Sequence, residues 1–358
     1  MLPLVALYFN QTENMETPRR ALRNIHLENV SSFSTPLHIP ASPFMKNLGY
    51  GTGVNVFRLE RSPKSGQNRS PWAVKRLSQR SRDNGQLLFN TRLQEEAEVL
   101  RKLSHPNIVG FRGVTKAEDG VDSLALECCS TSLGTILEER NDEDLGPLPA
   151  KDSLKMISDI AKALDYLHVE ARLLHGDIKS FNILIKEDFK ICKLCDFGVS
   201  LPLDEAGLVD FTKRPELRYV GTNLWSAPEV IDEEDTIDAK TDIFSFGLVI
   251  YETVALTPPH TLNIINDEDE KKNSEECMQE DGASNKENSA LFDESLLQQI
   301  ESAYGTRPPL PQAFDLTDEY NRVVELFYCC TNELAEDRPT AKAIWQSLEK
   351  TATDEQQK

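Results

Sequence analysis

The chain has 358 residues, enough for one large domain or for two lobes around a substantial core. Hydrophobic residues make up 39% and charged residues 27%, the balance of a globular protein. The formal net charge of −20 argues against non-specific binding to nucleic acid or to anionic membranes, both of which favour basic surfaces.

No apolar run reaches the ~20 residues that span a bilayer. The start, "MLPLVALYF", has neither a basic n-region nor a small-residue cleavage site, so no signal peptide is expected. Cys stands at 128, 129, 192, 195, 277, 329 and 330, an odd count without framework spacing. That pattern reads as reduced thiols and an intracellular protein, cytoplasmic or nuclear. Cys192 and Cys195 form a CxxC, but no second CxxC or His pair completes a zinc site. They read as strand residues of a buried core.

Residues 1–42 are polar and interrupted by Pro18, Pro36 and Pro40, and read as a disordered tail. "GYGTGVNVFRLER" (49–61) and "SPWAVKRL" (70–77) are β-type runs, with a turn region at 62–71 between them. In "RLQEEAEVLRKL" (92–103), Leu93, Ala97, Leu100 and Leu103 share one helical face. Two more β-type runs follow, near 108–115 and 122–128. "DSLKMISDIAKALDYLH" (152–168) repeats apolar residues at three- and four-residue spacing, an amphipathic helix. "DIFSFGLVIYETVAL" (242–256) is apolar nearly all round, as in a helix buried on every side. Residues 266–295 are acidic and poor in apolar residues, and read as a disordered insert. Order resumes with "YGTRPPLP" and a helical part over 318–349. The polar end, 350–358, is expected to fray.

Chemistry-bearing signals occur in one order. "GYGTGVNV" (49–56) is a Gly-rich turn between strands, and Gly lets backbone N–H groups approach phosphate oxygens. Lys75 follows on the next strand and Glu96 on the amphipathic helix, a pair able to hold phosphate oxygens. "LLHGDIKSFNILI" (173–185) sets Asp177, Lys179 and Asn182 inside an apolar run. "DFG" (196–198), "APE" (227–229), "DIFSFG" (242–247) and "DRPT" (337–340) complete the series. Each is weak alone, and their order and separation are specific together.

With these motifs, residues 43–349 resemble the eukaryotic protein kinases, and within them the MAP-kinase-kinase-like, mitotic members. The resemblance implies an α+β, bilobal fold. A mostly β N-lobe with one helix would span 43–127 and a larger helical C-lobe 130–349. It implies γ-phosphoryl transfer from ATP, with Mg²⁺, to Ser/Thr of protein substrates; dual specificity toward a MAP kinase stays open. Lys75, fixed by Glu96, would hold the α- and β-phosphates. Asp177 would accept or orient the substrate hydroxyl proton, Lys179 would stabilise the γ-phosphoryl charge, and Asn182 and Asp196 would hold the metal. Gly49, Gly51, Gly53, Val56, Ala73, Leu126 (as gatekeeper), Glu127 and Cys129 would line the nucleotide. Thr222, in "GTNLWSAPE", would serve substrate docking.

Two positions depart from the family pattern. Val54 stands where a third loop Gly would fall, with Gly53 just before it. Gly176 stands where most kinases carry an Arg that pairs with a phosphorylated activation-loop residue. Activity is therefore expected to depend less on such phosphorylation, and phosphate mimicry at Thr212 to change turnover little. These departures keep a rival reading in view, a pseudokinase scaffold that binds nucleotide without turnover. All six catalytic positions being present weighs against it.

The remaining signals are regulatory. Thr17, in "ETPRR", suits a proline-directed cyclin-dependent kinase, and Thr35 and Ser42 are weaker candidates. Lys286, Glu287 and Asn288 form a "KEN" tripeptide that can act as a mitotic degron. PDZ recognition needs an apolar last residue, and the chain ends in Gln357 and Lys358, so it is not expected.

Overall fold

The computed structural model describes residues 45–51, 54–64, 67–77, 82–116, 122–212, 219–234, 236–262, 297–312 and 316–356. The tail with Thr17, Thr35 and Ser42, the insert with Lys286–Asn288, and Gly53 lie outside them. The chain divides into two compact units, one of residues up to Lys102 plus Gly110–Cys128, the other of Leu103–Val109 plus Cys129 onward. The fold is α+β, as the family resemblance implies.

Among the described residues, the first unit is an antiparallel five-stranded sheet with one helix. Strands β1 (Met45–Gly51), β2 (Val54–Lys64), β3 (Gln67–Leu77), β4 (Phe111–Lys116) and β5 (Asp122–Glu127) lie in the order β1-β2-β3-β5-β4. The region 62–71, expected as a turn, is mostly strand. β2 runs to Lys64 and β3 resumes at Gln67, across shifts in the register that pairs Arg61 with Arg69. Irregular pairing of this kind accommodates Pro63 inside a strand. Helix α1 (Arg82–Lys102) is longer than its apolar stripe predicts, and buries Leu93, Ala97 and Leu100 together with Val74 and Leu124.

The second unit is mainly helical. β6 (Thr131–Ser132) leads into α2 (Leu133–Asp142), whose first turn is capped by the Ser132 hydroxyl accepting from Thr135 N. Helix α3 (Ala150–Asp165) buries Met156, Ile157, Ile160 and Leu164, the predicted face, then widens into a π-turn over Tyr166–Ala171. Short strands follow: β7 (Leu173–Leu174), β8 (Ile183–Lys186), β9 (Ile191–Leu194) and β10 (Leu201–Pro202). β7 pairs with β10, while β8 lies between β6 and β9. After the one-turn α4 (Pro228–Ile231) comes α5 (Lys240–Ala255), which buries every residue from Thr241 to Ala255. Helices α6 (Asn321–Cys330) and α7 (Ala341–Gln356) close the unit. The expected frayed end is instead helical up to Gln356. No described helix is long and apolar enough to cross a membrane.

The excursion Leu103–Val109, read from sequence as part of the N-lobe, clusters with the second unit. Backbone bonds explain this: Val109 N donates to Leu194 O at 2.8 Å and Leu194 N to Asn107 O at 2.9 Å. Cys192 is buried in β9 with its thiol pushed up to about 12 by burial, and Cys195 follows just after the strand. Among the described residues no group of three or more His, Cys, Asp or Glu could hold a metal ion.

Candidate active site

In the first unit, β3 sets Lys75 opposite Val56 of β2 and Leu124 of β5, and Ala73 opposite Leu126. Alternation along the strand sends the buried Val74 to the other face. Lys75 Nζ donates to Glu96 Oε2 at 2.8 Å, and Glu96 is buried on the apolar side of α1. The carboxylate thus fixes the ammonium, a cation of the kind that holds phosphate oxygens. Gly49 and Gly51 lie on β1, with Gly49 opposite Val56. Leu126 is buried, and Glu127 Oε2 accepts from Gly110 N at 3.3 Å. Cys128 ends this unit, its thiol raised by burial, and Cys129 begins the next.

The second unit brings the polar residues of "HGDIKSFN" into one network. Asp177 Oδ1 accepts from the Thr222 hydroxyl at 2.7 Å. Its Oδ2 accepts from Asn182 Nδ2 at 2.9 Å and lies 2.8 Å from Lys179 Nζ. Lys179 Nζ also donates to Thr222 Oγ1 at 2.9 Å, closing an Asp–Lys–Thr triangle. The offsets in the sequence therefore serve geometry: the turn Ser180–Asn182 folds Asn182 back, and Nδ2 also meets Asp177 O at 2.8 Å. β7 and β8 hold the two ends of the loop. Asp196 follows β9 in a left-handed conformation, φ 63°, which Asp tolerates better than most residues.

Several supporting residues carried no role in the sequence reading. The His175 ring accepts from Asp177 N at Nδ1 (3.3 Å), lies 3.0 Å from Cys195 O through Nε2, and meets the Phe197 ring edge-on. It ties the loop to the DFG segment through both nitrogens, the pattern of a neutral ring protonated at Nε2. Asp242 of α5 accepts from His175 N at 2.9 Å and Gly176 N at 3.0 Å, and lies 2.8 Å from His168 Nε2. Burial alone would raise its carboxyl, but the His168 bond and charge and the Gly176 N–H hold it below the usual value. Glu252 accepts from Ser180 Oγ at 2.7 Å and Trp225 Nε1 at 2.8 Å. Glu229 of "APE" and Arg338 of "DRPT" form a buried bidentate pair, 2.7 and 2.8 Å. Burial opposes the Glu229 charge, and Arg338 pulls its carboxyl below the usual value. The motifs contained all these letters, but only long-range contacts reveal their work.

The residues present fit a hard divalent cation. Asn182 spends its Nδ2 on Asp177, so its carbonyl oxygen is the atom left to offer, and Asp196 adds a carboxylate. Two oxygen donors suit an ion that completes its shell with phosphate and water, as Mg²⁺ does, rather than an all-protein cage.

Residues 43–348 match the protein kinase domain family. The chain belongs to the protein kinases. Members of the family use ATP and a divalent metal to phosphorylate proteins, and this kinase has their mixed α/β architecture. It is 42% identical, over 90% of its own length and 99% of the relative's, to the human lymphokine-activated killer T-cell-originated protein kinase. It is 34% identical to the mouse dual specificity testis-specific protein kinase 2, over 46% of this chain and 27% of that one. It is 29% identical to the mitogen-activated protein kinase kinase kinase zak-1 of Caenorhabditis elegans, over 47% of this chain and 22% of that one. The last two relatives are longer proteins, of which the match spans about a quarter.

Proposed function

We propose that this kinase transfers the γ-phosphoryl group of ATP to Ser and Thr hydroxyls of protein substrates, with Mg²⁺ as the metal. The carrying observation is the Asp177–Lys179–Thr222 triangle, with Asn182 folded onto the same carboxylate. Asp177, oriented by Thr222 and Asn182, takes the proton of the incoming hydroxyl. Lys179 stands beside it to stabilise charge on the phosphoryl group. In the first unit Lys75, steadied by Glu96, holds the nucleotide phosphates. Asn182 and Asp196 would hold Mg²⁺, which would supply neutralisation of phosphate charge.

The lining assigned to Gly49, Gly51, Gly53, Val56, Ala73, Leu126, Glu127 and Cys129, and substrate docking at Thr222, belong to the same proposal. We extend the proposal to a mitotic, MAP-kinase-kinase-like role inside the cell; the similarity to a mitogen-activated protein kinase kinase kinase supports its MAP-kinase part, and the Thr-Pro and KEN motifs its mitotic part. On that reading the tail around Thr17 takes phosphate from a cyclin-dependent kinase, Lys286–Asn288 directs mitotic turnover, and one substrate is a MAP kinase.

Transfer from radiolabelled ATP to a generic basic protein, wild type beside Asp177→Ala, tests the core of this proposal. The variant is expected to lose about 10²- to 10⁴-fold in rate. Wild type that binds ATP and labels nothing would favour the scaffold reading.

A further inference from the structure

Gly176, inside the catalytic loop, has φ +78°, and a Cβ there would lie 3.1 Å from Val199 O and 3.9 Å from the Tyr219 ring. Gly221, one residue before Thr222, is crowded by the same ring. A Cβ there would meet Tyr219 Cε1 at 2.5 Å and Gly176 O at 2.9 Å. Tyr219 thus lays its ring against both glycines: at Gly221 a side chain would collide with it, while at Gly176 glycine is required by the positive φ and Val199 O, and the ring stands at contact distance. Its ring packs on the apolar cluster of Leu174, Leu201, Leu203 and Ile237. Its hydroxyl reaches a buried position near Ser245 of α5. Burial and the nearby Asp242 and Asp177 carboxylates push its ionisation well up, so it stays neutral.

Earlier in the same segment, residues 201–209 are tied down by backbone bonds. Leu203 N donates to Arg172 O at 2.8 Å and Val209 N to Ile237 O at 2.8 Å, and Leu201–Pro202 pair with Leu173–Leu174. None of these bonds involves a side-chain charge.

We propose that Tyr219 is a positioning residue for phosphoryl transfer. Its ring, seated between Gly176 and Gly221, sets the distance between the catalytic loop and Thr222 without a phosphate on the activation segment. This rests on the kinase reading above and goes beyond it by naming the group that replaces an arginine–phosphate contact.

The test uses the full chain, treated with phosphatase, as wild type, Tyr219→Phe and Tyr219→Leu. Leucine suits the apolar cluster but is not planar. Treated wild type should keep its rate within about twofold of untreated. Tyr219→Phe should stay within about threefold in kcat. Tyr219→Leu should lose at least tenfold in kcat while KM for ATP stays within twofold. Tyr219→Met supplies the same comparison should the leucine variant not fold. Two results overturn the proposal: a non-planar variant as fast as wild type, or loss of wild-type transfer on phosphatase treatment. Untreated wild type that transfers nothing is a separate failure, of the kinase reading, and this inference falls with it.

Discussion

Helix α5 carries a buried carboxylate near each end, and the two are held in opposite ways. Asp242 receives two backbone N–H groups and His168, and its carboxyl is held below its usual value. Glu252 receives the neutral Ser180 hydroxyl, the Trp225 indole N–H and the Ser180 backbone N–H, and burial pushes it up to about 8. Depth is similar at both sites, so the donors decide the charge. Asp242 is a fixed negative anchor under the catalytic loop. Glu252 joins Ser180, next to Lys179, to Trp225, three residues past Thr222, and does so as a group that can be neutral.

The largest test removes the anchor. Asp242→Ala strands the N–H groups of His175 and Gly176 in a dry interior, at about 1–3 kcal/mol each. Urea unfolding should show a loss of about 2–6 kcal/mol, with transfer falling at least a hundredfold as the loop loses its support. A loss under 1 kcal/mol would mean that Asp242 is not the anchor. Close behind stands Arg338→Met, which leaves the Glu229 carboxylate buried without its guanidinium. It should cost about 3–5 kcal/mol by the same measurement.

Glu252→Gln sharpens the contrast, because its effect must depend on pH. In the unfolded chain the Glu252 carboxyl titrates near 4.3 and in the native chain near 8. Between those values the native state holds the extra proton, so this group's contribution to stability falls as pH rises from about 4.5 to 8. Asp242 behaves oppositely: its contribution is present above its unfolded value and fades as pH drops through the native one. Glu138, itself raised by burial and by Asp142 and Glu139, adds to the penalty on Glu252. Thermal melting from pH 5 to 9 should show Glu252→Gln gaining on wild type with rising pH and levelling above about 8. Parallel curves would mean that Glu252 is charged in the native chain throughout.

This contrast also marks what the sequence made legible. The spacing of Asp177, Lys179 and Asn182 was readable because one short loop carries all three. The continuous apolar run of α5 announced a buried helix. Asp242 and Glu252 sat in that run as mere interruptions, since their donors come from the catalytic loop and from Trp225, far along the chain. Pro63 and its polar neighbours imitated a turn, although strand pairing continues through an irregular register. The first turns of α1, "RDNGQLLFN", lack an apolar stripe and left the helix start invisible. Local chemistry was legible, and support from distant residues was not.

The smallest expected effect is at Thr212. Its hydroxyl donates to Asp210 Oδ1 at 2.5 Å, and its N–H donates to the same oxygen at 3.0 Å. A negative group at residue 212 would lose that hydroxyl bond and face the Asp210 carboxylate. The site is exposed, so solvent screens the repulsion. An arginine in the catalytic loop could have rewarded such a charge, but residue 176 is Gly, and the Tyr219 ring lies beside it. Thr212→Glu should therefore change kcat by less than about threefold in either direction. Its effect on melting should be small and shrink further in high salt. A hundredfold rise in kcat would show that the segment waits for a phosphate after all. It would also shift the ordering role from the aromatic ring to a cation elsewhere in the chain.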